Sequence, residues 1–300
     1  MEKSDMEAVA TIGMFDGVHR GHQDLLSHLI DEARQHCLSS VVFTFDRHPL
    51  TRIRPELAPR LLTDVDEKIA LIKAAGVDRV VVLDFDEEMR RMTAAEFIGE
   101  IARRHGVRRL VMGYDHSFGS DRLKTFEQYS EAAAAHGVTA VRCTPYVDTV
   151  AGVTVSSSEV RHALDNGDIS LANRLLGRSY RLTGTIVQGR RLGRELGFPT
   201  ANLMTPAERL IPLSGVYGCR ARVKGAGEYR AAVNIGKNPT VSASNPLTIE
   251  AHLLGFEGDI YGSEMTLSFV ERLRDERRFD DLASLQAQLK LDLQSLSQMK

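Results

Sequence analysis

Partway along the 300-residue chain the hydrophobic pattern changes its period, and this change limits the fold more than any single motif. From Ala8 to about Val147, short β-branched runs alternate with helical stretches, as in a parallel sheet with crossover helices. The expected strands are AVATIGM, SSVVFTF, DRVVVLDF, RRLVMGYD and TAVRCTPYV. Helix starts are readable between them: Thr63 with Asp66, and Thr93 with Glu96, stand at capping-box spacing. The helix after the first strand carries Leu25, Leu26, Leu29, Ile30 and Ala33 on one face, which suits packing on a sheet. Beyond Val147 come two short helices, with Gly177 as a stop, and then strict alternation. YRLTGTIV, GVYGCRARV, YRAAVNIG, LTIEAHLL and MTLSFVERL read as strands of a mainly antiparallel sheet or barrel. A terminal helix places Leu282, Leu285, Leu289, Leu293 and Leu296 near one face. The expectation is an α/β chain of two domains, doubly wound over residues 1–177 and antiparallel β over 178–300.

Composition narrows the function classes. With 43% hydrophobic and 26% charged residues the chain is globular, and a net charge of -2 gives no broad cationic field. Duplex nucleic acid is therefore not expected as the main partner, and any anion must be held locally. Cys37, Cys143 and Cys219 are far apart and form no CxxC pair, which argues against a zinc site and a disulfide framework and fits a reducing cytoplasm. No stretch approaches ~18 uninterrupted apolar residues, so no membrane span is expected. Oligomeric state is left open.

GMFDGVHRGHQ, Gly13 to Gln23, follows the first strand and opens a helix, where α/β sheets bind ligands. Gly13, Gly17 and Gly21 let the main chain approach a ligand, and the N–H groups of the new helix favour phosphate. His19 and His22 add side-chain donors there. Nucleotidyl transfer needs donors aimed at charge developing on phosphorus and no protein nucleophile. In VSSSEVR, Ser156 and Glu159 have capping-box spacing, and Arg161 lies four residues after Ser157 on the same helix face, an arrangement suited to phosphate. GYDHSFGSDR is a Gly-flanked polar loop with Asp115, His116 and Arg122. In GRRLGRELGFPTANL, Thr200 and Asn202 stand two apart on a strand, a hydroxyl and an amide side by side, and oxygen ligands of that kind suit Mg²⁺. LTIEAHLL alternates Ile249, Ala251 and Leu253 with Thr248, Glu250 and His252, so Glu250 is either a general base for an alcohol or a solvated outward residue.

GMFDGVHRGHQ, FDRHP, GYDHSFGSDR and VSSSEVRHAL, in this order, resemble the FMN adenylyltransferase half of the bifunctional riboflavin kinase/FAD synthetase family. GRELGFPTANL, GVYG, VNIGKNPT, IEAHLLGFEGDIYG and ERLRDERRF resemble its riboflavin kinase module. The resemblance implies a Rossmann-like nucleotidylyltransferase domain followed by a six-stranded antiparallel barrel with a terminal helix. It also implies two reactions: ATP and riboflavin give FMN, then ATP and FMN give FAD and pyrophosphate, both with Mg²⁺. His19, His22 and Arg161 would act on the ATP phosphates, with Gly13, Phe15, Asp16, Gly17, Gly21, Ser157 and Ser158 binding them. Asp46, His48, Pro49, Asp115, Arg122 and Arg274 would contact flavin. In the barrel, Gly189, Gly193, Arg194 and Gly197 would close over a second ATP, Thr200 and Asn202 would serve its Mg²⁺, and Glu250 would be the general base. Met14, Ser117 and Leu123 depart from the family pattern, which keeps a riboflavin kinase with a weakened adenylyltransferase half as the second reading.

Overall fold

The computed structural model describes residues 7–114, 116–189, 198–237, 247–277 and 281–298. They form two compact units, 1–157 and 158–300.

The first unit runs β1 (Ala8–Ile12), α1 (Arg20–Gln35), β2 (Ser39–Phe45), α2 (Leu50–Ile53), α3 (Val65–Ala74), β3 (Arg79–Leu83), α4 (Glu87–Arg91), α5 (Ala94–His105), β4 (Val107–Met112), α6 (Phe126–Ala134) and β5 (Thr139–Arg142), and ends in the small hairpin β6 (Val147–Asp148) and β7 (Val153–Thr154). The five long strands form one parallel sheet in the order β3-β2-β1-β4-β5. Strands β1 and β2 are buried along their whole length because alternate residues feed two cores. Ala8, Ala10 and Ile12 join Phe97, Ile98 and Ile101 of α5 on one face. Val9 joins Leu25, Leu26 and Leu29 of α1 on the other. Each of those leucines contributes about 1.5–3 kcal/mol on burial. Order reverses between β1 and β4, so a doubly wound sheet presents its ligand crevice at their carboxyl ends.

Two local expectations are corrected. The stretch TAVRCTPYV is not one strand: β5 stops at Arg142 and β6 starts at Val147, with Pro145, which has no N–H for a ladder, between them. Helix α3 is capped by Asp64, which accepts from Glu67 N at 2.7 Å, and not by Thr63 with Asp66. The Thr63 hydroxyl is engaged elsewhere, accepting from Gly17 N at 3.0 Å and donating to Asp16 at 3.3 Å. The Thr93 and Glu96 capping box forms as read.

The second unit contains α7 (Ser157–Asp165) from Ser158 onward, α8 (Ile169–Leu176), β8 (Tyr180–Val187), β9 (Ala201–Met204), β10 (Gly215–Val223), β11 (Gly227–Lys237), β12 (Leu247–Leu253), β13 (Glu264–Arg274) and α9 (Leu282–Gln298). Six antiparallel strands close into a barrel in the order β10-β11-β12-β9-β8-β13, with β13 completing the ring against β10. Helix α8 ends at Gly177, whose φ of 71° is the left-handed cap that glycine accepts at least cost. On α9, Leu293 and Leu296 pack against Ala232, Leu254, Val270 and Leu273. The side chains of Leu282 and Leu285 lie outside the described residues.

Helices α7 and α8 belong with the barrel. Helix α8 packs on β8 and β13 and buries Ile169, Ala172, Leu175 and Leu176. Between the helices, Gly167 leaves room for the Arg272 side chain of β13, whose Nε would lie 2.8 Å from a β-carbon there. A fragment starting at Leu176 gives up this packing, and one starting at Ser158 keeps it. The shorter fragment is expected to lose about 3 kcal/mol or more and to melt roughly 10 °C lower, which thermal denaturation of the two fragments measures. Equal melting temperatures would make the helical pair an appendage.

Candidate active sites

In the first unit the exits of β1, β2 and β4 lie along one edge of the sheet, tied by side chains. Gly13 N donates to Phe43 O at 3.1 Å. His116 bridges two strand exits: its Nδ1 accepts from Gly113 N at 2.6 Å and its Nε2 donates to Ile12 O. The loop after β1 is strained, since Phe15, Gly17 and Val18 have φ of 50°, 80° and 37°. Non-glycine residues there cost about 1–3 kcal/mol each and persist only where surroundings enforce them. Here Phe15 and Val18 are buried in the α1 core. The Asp16 carboxylate accepts from Leu62 N at 2.9 Å and Thr63 N at 3.1 Å. Asp16, expected among the phosphate binders, thus holds the loop with its carboxylate.

The two histidines meet face to face, with ring centroids 3.7 Å apart and planes 16° from parallel. His19 is the N-cap of α1: its Nδ1 accepts from His22 N at 3.2 Å, so the neutral ring carries its proton on Nε2. Stacked imidazoles cannot both take a charge cheaply. Burial first, then the charges of His19, His116 and Lys68, push His22 well below the ordinary 6.5. His22 keeps part of its surface, yet its Nδ1 is buried with no hydrogen-bond partner among the described residues. Gly21 permits the stack, because a β-carbon there would come within 2.9 Å of Val155 O and 3.2 Å of His19 Nδ1.

The other expected residues of this unit take varied places. Asp46, His48 and Pro49 follow β2 along the same edge, and His48 Nδ1 accepts from Leu50 N at 3.2 Å at the start of α2. Asp115 lies outside the described residues; Arg122 is exposed with φ of 51°. Ser157 donates its hydroxyl to Asp16 O at 2.9 Å, and Ser158 and Arg161 follow it on α7. Met14 and Leu123 pack against the α5 core, which accounts for apolar residues at two of the three departures from the family pattern. Ser117 is exposed, and nothing in the structure explains it.

In the barrel, register places Glu250 on the polar face of its strand. Ile249, Ala251 and Leu253 are buried, and Glu250 stands half-buried on the other face. Its cross-strand neighbours are Asn202 of β9 and Asn234 of β11, so three polar side chains cross three adjacent strands in a row. Thr200 Oγ1 donates to Glu250 Oε2 at 3.5 Å. His252 Nδ1 donates to Pro199 O at 2.9 Å and fixes the approach to Thr200. Asn234 and Glu276 were not among the expected residues. A β-carbon at Gly236 would overlap the Glu276 carboxylate and lie 3.1 Å from the Asn234 amide nitrogen, so both groups converge over that glycine. The period-two pattern of VNIG, with Asn234 between two buried apolar residues, was the available signal.

Gly193, Arg194 and Gly197 lie outside the described residues. Gly189 abuts Asn202, since a β-carbon there would overlap its amide nitrogen. Arg274, expected at the flavin, gives its guanidinium to buried Asp292 of α9 through Nε at 3.0 Å and Nη2 at 2.8 Å. Among the described residues no group of three or more His, Cys, Asp or Glu side chains could hold a metal ion. A Mg²⁺ ion would therefore rest on hydroxyl, amide and single carboxylate oxygens, which suits an ion that takes most of its ligands from water and phosphate.

Comparison with known proteins matches both halves of the chain. A family model described as FAD synthetase matches residues 1–159, and one described as riboflavin kinase matches 176–300. Over 286 residues the chain is 40% identical to the bifunctional riboflavin kinase/FMN adenylyltransferase of Pseudomonas fluorescens, covering 95% of this chain and 90% of that one. The protein of the same description from Bacillus subtilis strain 168 is 32% identical over 300 residues, covering 98% and 93%. A solved structure described as a macrolide-efflux protein from Streptococcus pneumoniae superposes with a TM-score of 0.88 at 29% identity, covering 99% of this chain and 95% of that one. Among the described residues of this chain no helix is long and apolar enough to cross a membrane. Both halves are matched, which supports the bifunctional reading over a kinase with a weakened partner domain. With relatives that carry both activities in their names along nearly their whole length, the chain belongs to the bifunctional riboflavin kinase/FMN adenylyltransferase family.

Proposed function

We propose that the chain's two activities are divided between its units, with phosphorylation of riboflavin in the barrel and adenylyl transfer from ATP to FMN at the sheet edge. The observation that carries the assignment is that each unit gathers its own polar set: the stacked His19 and His22 in one, the Asn202, Glu250 and Asn234 row in the other.

In the barrel, Glu250 takes the proton of the ribityl 5′-hydroxyl as its oxygen attacks the γ-phosphorus of ATP; the bond to the β-phosphate oxygen breaks and ADP leaves. Thr200 and Asn202 would hold Mg²⁺, which neutralises phosphate charge when bound. At the sheet edge a phosphate oxygen of FMN attacks the α-phosphorus of ATP and pyrophosphate leaves. Both nucleophile and leaving group are already anions, so the protein's part is to place donors. The Nε2–H of His19 is oriented by its cap bond, and His22 remains uncharged beside it. Arg161, which the resemblance would bring to the ATP phosphates, lies in the second unit. An ATP-consuming reaction and three free thiols fit a cytoplasmic setting.

Chromatography of riboflavin, FMN and FAD over a time course with Mg-ATP tests the assignment: FMN rises first and FAD follows, and FMN supplied alone gives FAD. FMN accumulating without FAD would leave only the kinase. Gly189→Ala probes the barrel site separately. Its added carbon displaces the Asn202 amide without entering the core, so riboflavin phosphorylation is expected to fall about tenfold or more in a chain that still folds. Unchanged turnover would remove Asn202 from the site.

A further inference from the structure

Lysine is almost never fully buried without a charged partner, yet Lys68 of α3 is 3% exposed. Its Nζ donates to Met14 O at 3.1 Å and to Phe45 O at 2.6 Å, carbonyls at the exits of β1 and β2. The Thr44 hydroxyl donates to the same Met14 O at 3.1 Å. Met14 directly precedes the strained Phe15 to Val18 loop, and the next carboxylate along, Asp16, is held by Leu62 and Thr63. The segment from Leu62 to Lys68 therefore grips the loop from below, with an ammonium ion as its last contact.

Two carbonyl dipoles do not neutralise a full charge. The carboxylates whose charge acts on Nζ are Asp16 from the β1 loop, which also accepts from the Leu62 and Thr63 N–H groups, and Asp46 from the β2 exit, which also pairs with Arg47 at 3.6 Å; burial outweighs their pull. From α1 the facing group is His22, with His19 stacked on it and His116 beside it. A cation so placed costs stability when the site is empty and favours a polyanion arriving at the carboxyl end of the sheet.

We propose that Lys68 is a positioning residue for adenylyl transfer, holding the strained loop in its ligand-ready shape and giving the site a positive field for the ATP polyphosphate. The proposal rests on the assignment of that reaction to this unit. Burial pulls Lys68 from 10.5 down to about 8, against the opposing pull of Asp16 and Asp46. The sign follows directly: the side chain is charged below that pH and neutral above it, so the field fades as pH rises. His22, held well below 6.5, stays neutral throughout that range and does not produce the change.

The test is steady-state formation of FAD from FMN and Mg-ATP between about pH 6.5 and 9.5 for the parent, Lys68→Arg and Lys68→Met. The parent should lose turnover with an apparent pKa near 8. Lys68→Arg, whose guanidinium keeps its charge, should show no such limb. Lys68→Met should raise KM for ATP about tenfold or more at pH 7, with riboflavin phosphorylation by the same chain unchanged. If Lys68→Met does not fold, the parent and arginine profiles decide. A parent that makes FAD with a level profile, or an arginine variant that keeps the limb, overturns the role of Lys68 alone. A parent that makes no FAD overturns the assignment of the reaction, and this proposal with it.

Discussion

His19→Ala and His22→Ala should each lower the initial rate of FAD formation from FMN by about 10²-fold or more, the usual scale for removing a donor aimed at developing charge. Riboflavin phosphorylation by the same chains should continue. His19 has a second task that must be separated from the first: as N-cap of α1 it accepts from His22 N, and losing a cap costs ~1 kcal/mol. His19→Asn resolves the two, because asparagine caps a helix well yet does not reproduce an imidazole Nε2–H at the same reach. That variant should regain the stability lost in His19→Ala and none of the activity. His22 caps nothing, so its replacement should affect rate more than melting temperature. Undiminished FAD synthesis in both alanine variants would remove the histidine pair from the mechanism.

Glu250→Gln is expected to lower riboflavin phosphorylation by roughly 10² to 10⁴-fold while leaving the shape of the row intact. Glutamine retains an acceptor for the Thr200 hydroxyl and fits between Asn202 and Asn234, so the barrel register has no reason to change. It cannot take a full proton. Supplied with FMN, the same variant should make FAD at close to the parental rate, which separates a chemical defect from general misfolding. Normal phosphorylation would sink the general-base role. Loss of both activities with a collapsed thermal transition would mark Glu250 as a structural residue.

What could be read beforehand was whatever depends on local periodicity. SSVVFTF, YRLTGTIV and GVYGCRARV are strands over those same residues, because alternation and β-branching act on neighbours. The face that Glu250 takes was legible for the same reason. Helices α2 and α4, four and five residues long, were missed because neither has room for a hydrophobic period. The other misses involve partners distant in sequence. Thr63 sits at a helix start with a suitable Asp66 three residues on, but its hydroxyl is claimed by Asp16 and Gly17, more than forty positions earlier. Lys68 and Asp292 look like solvated charges on amphipathic helices, and only the tertiary fold buries one against strand exits and the other against Arg274. The His19 and His22 pair was visible as spacing. Its stacking and the burial that keeps His22 uncharged were not.

The barrel's ring has one narrow seam. Among the described residues, strand β9 meets β12 through two residue pairs, Glu250 with Asn202 and Ala251 with Ala201, whereas β11 and β12 share seven. Asn202 is also the first residue of β9 paired with β8, opposite Val187. The residue assigned to the nucleotide's metal is thus the clasp between the two arcs of the barrel. Ligand affinity and resistance to local opening become one thermodynamic quantity at this point, since whatever holds Asn202 and Glu250 together also keeps the ring shut. Strengthening the seam by substitution would draw on the same pliancy that substrate entry uses. The kinase half is therefore expected to trade thermal resistance against turnover at β9 before it does so anywhere in its core.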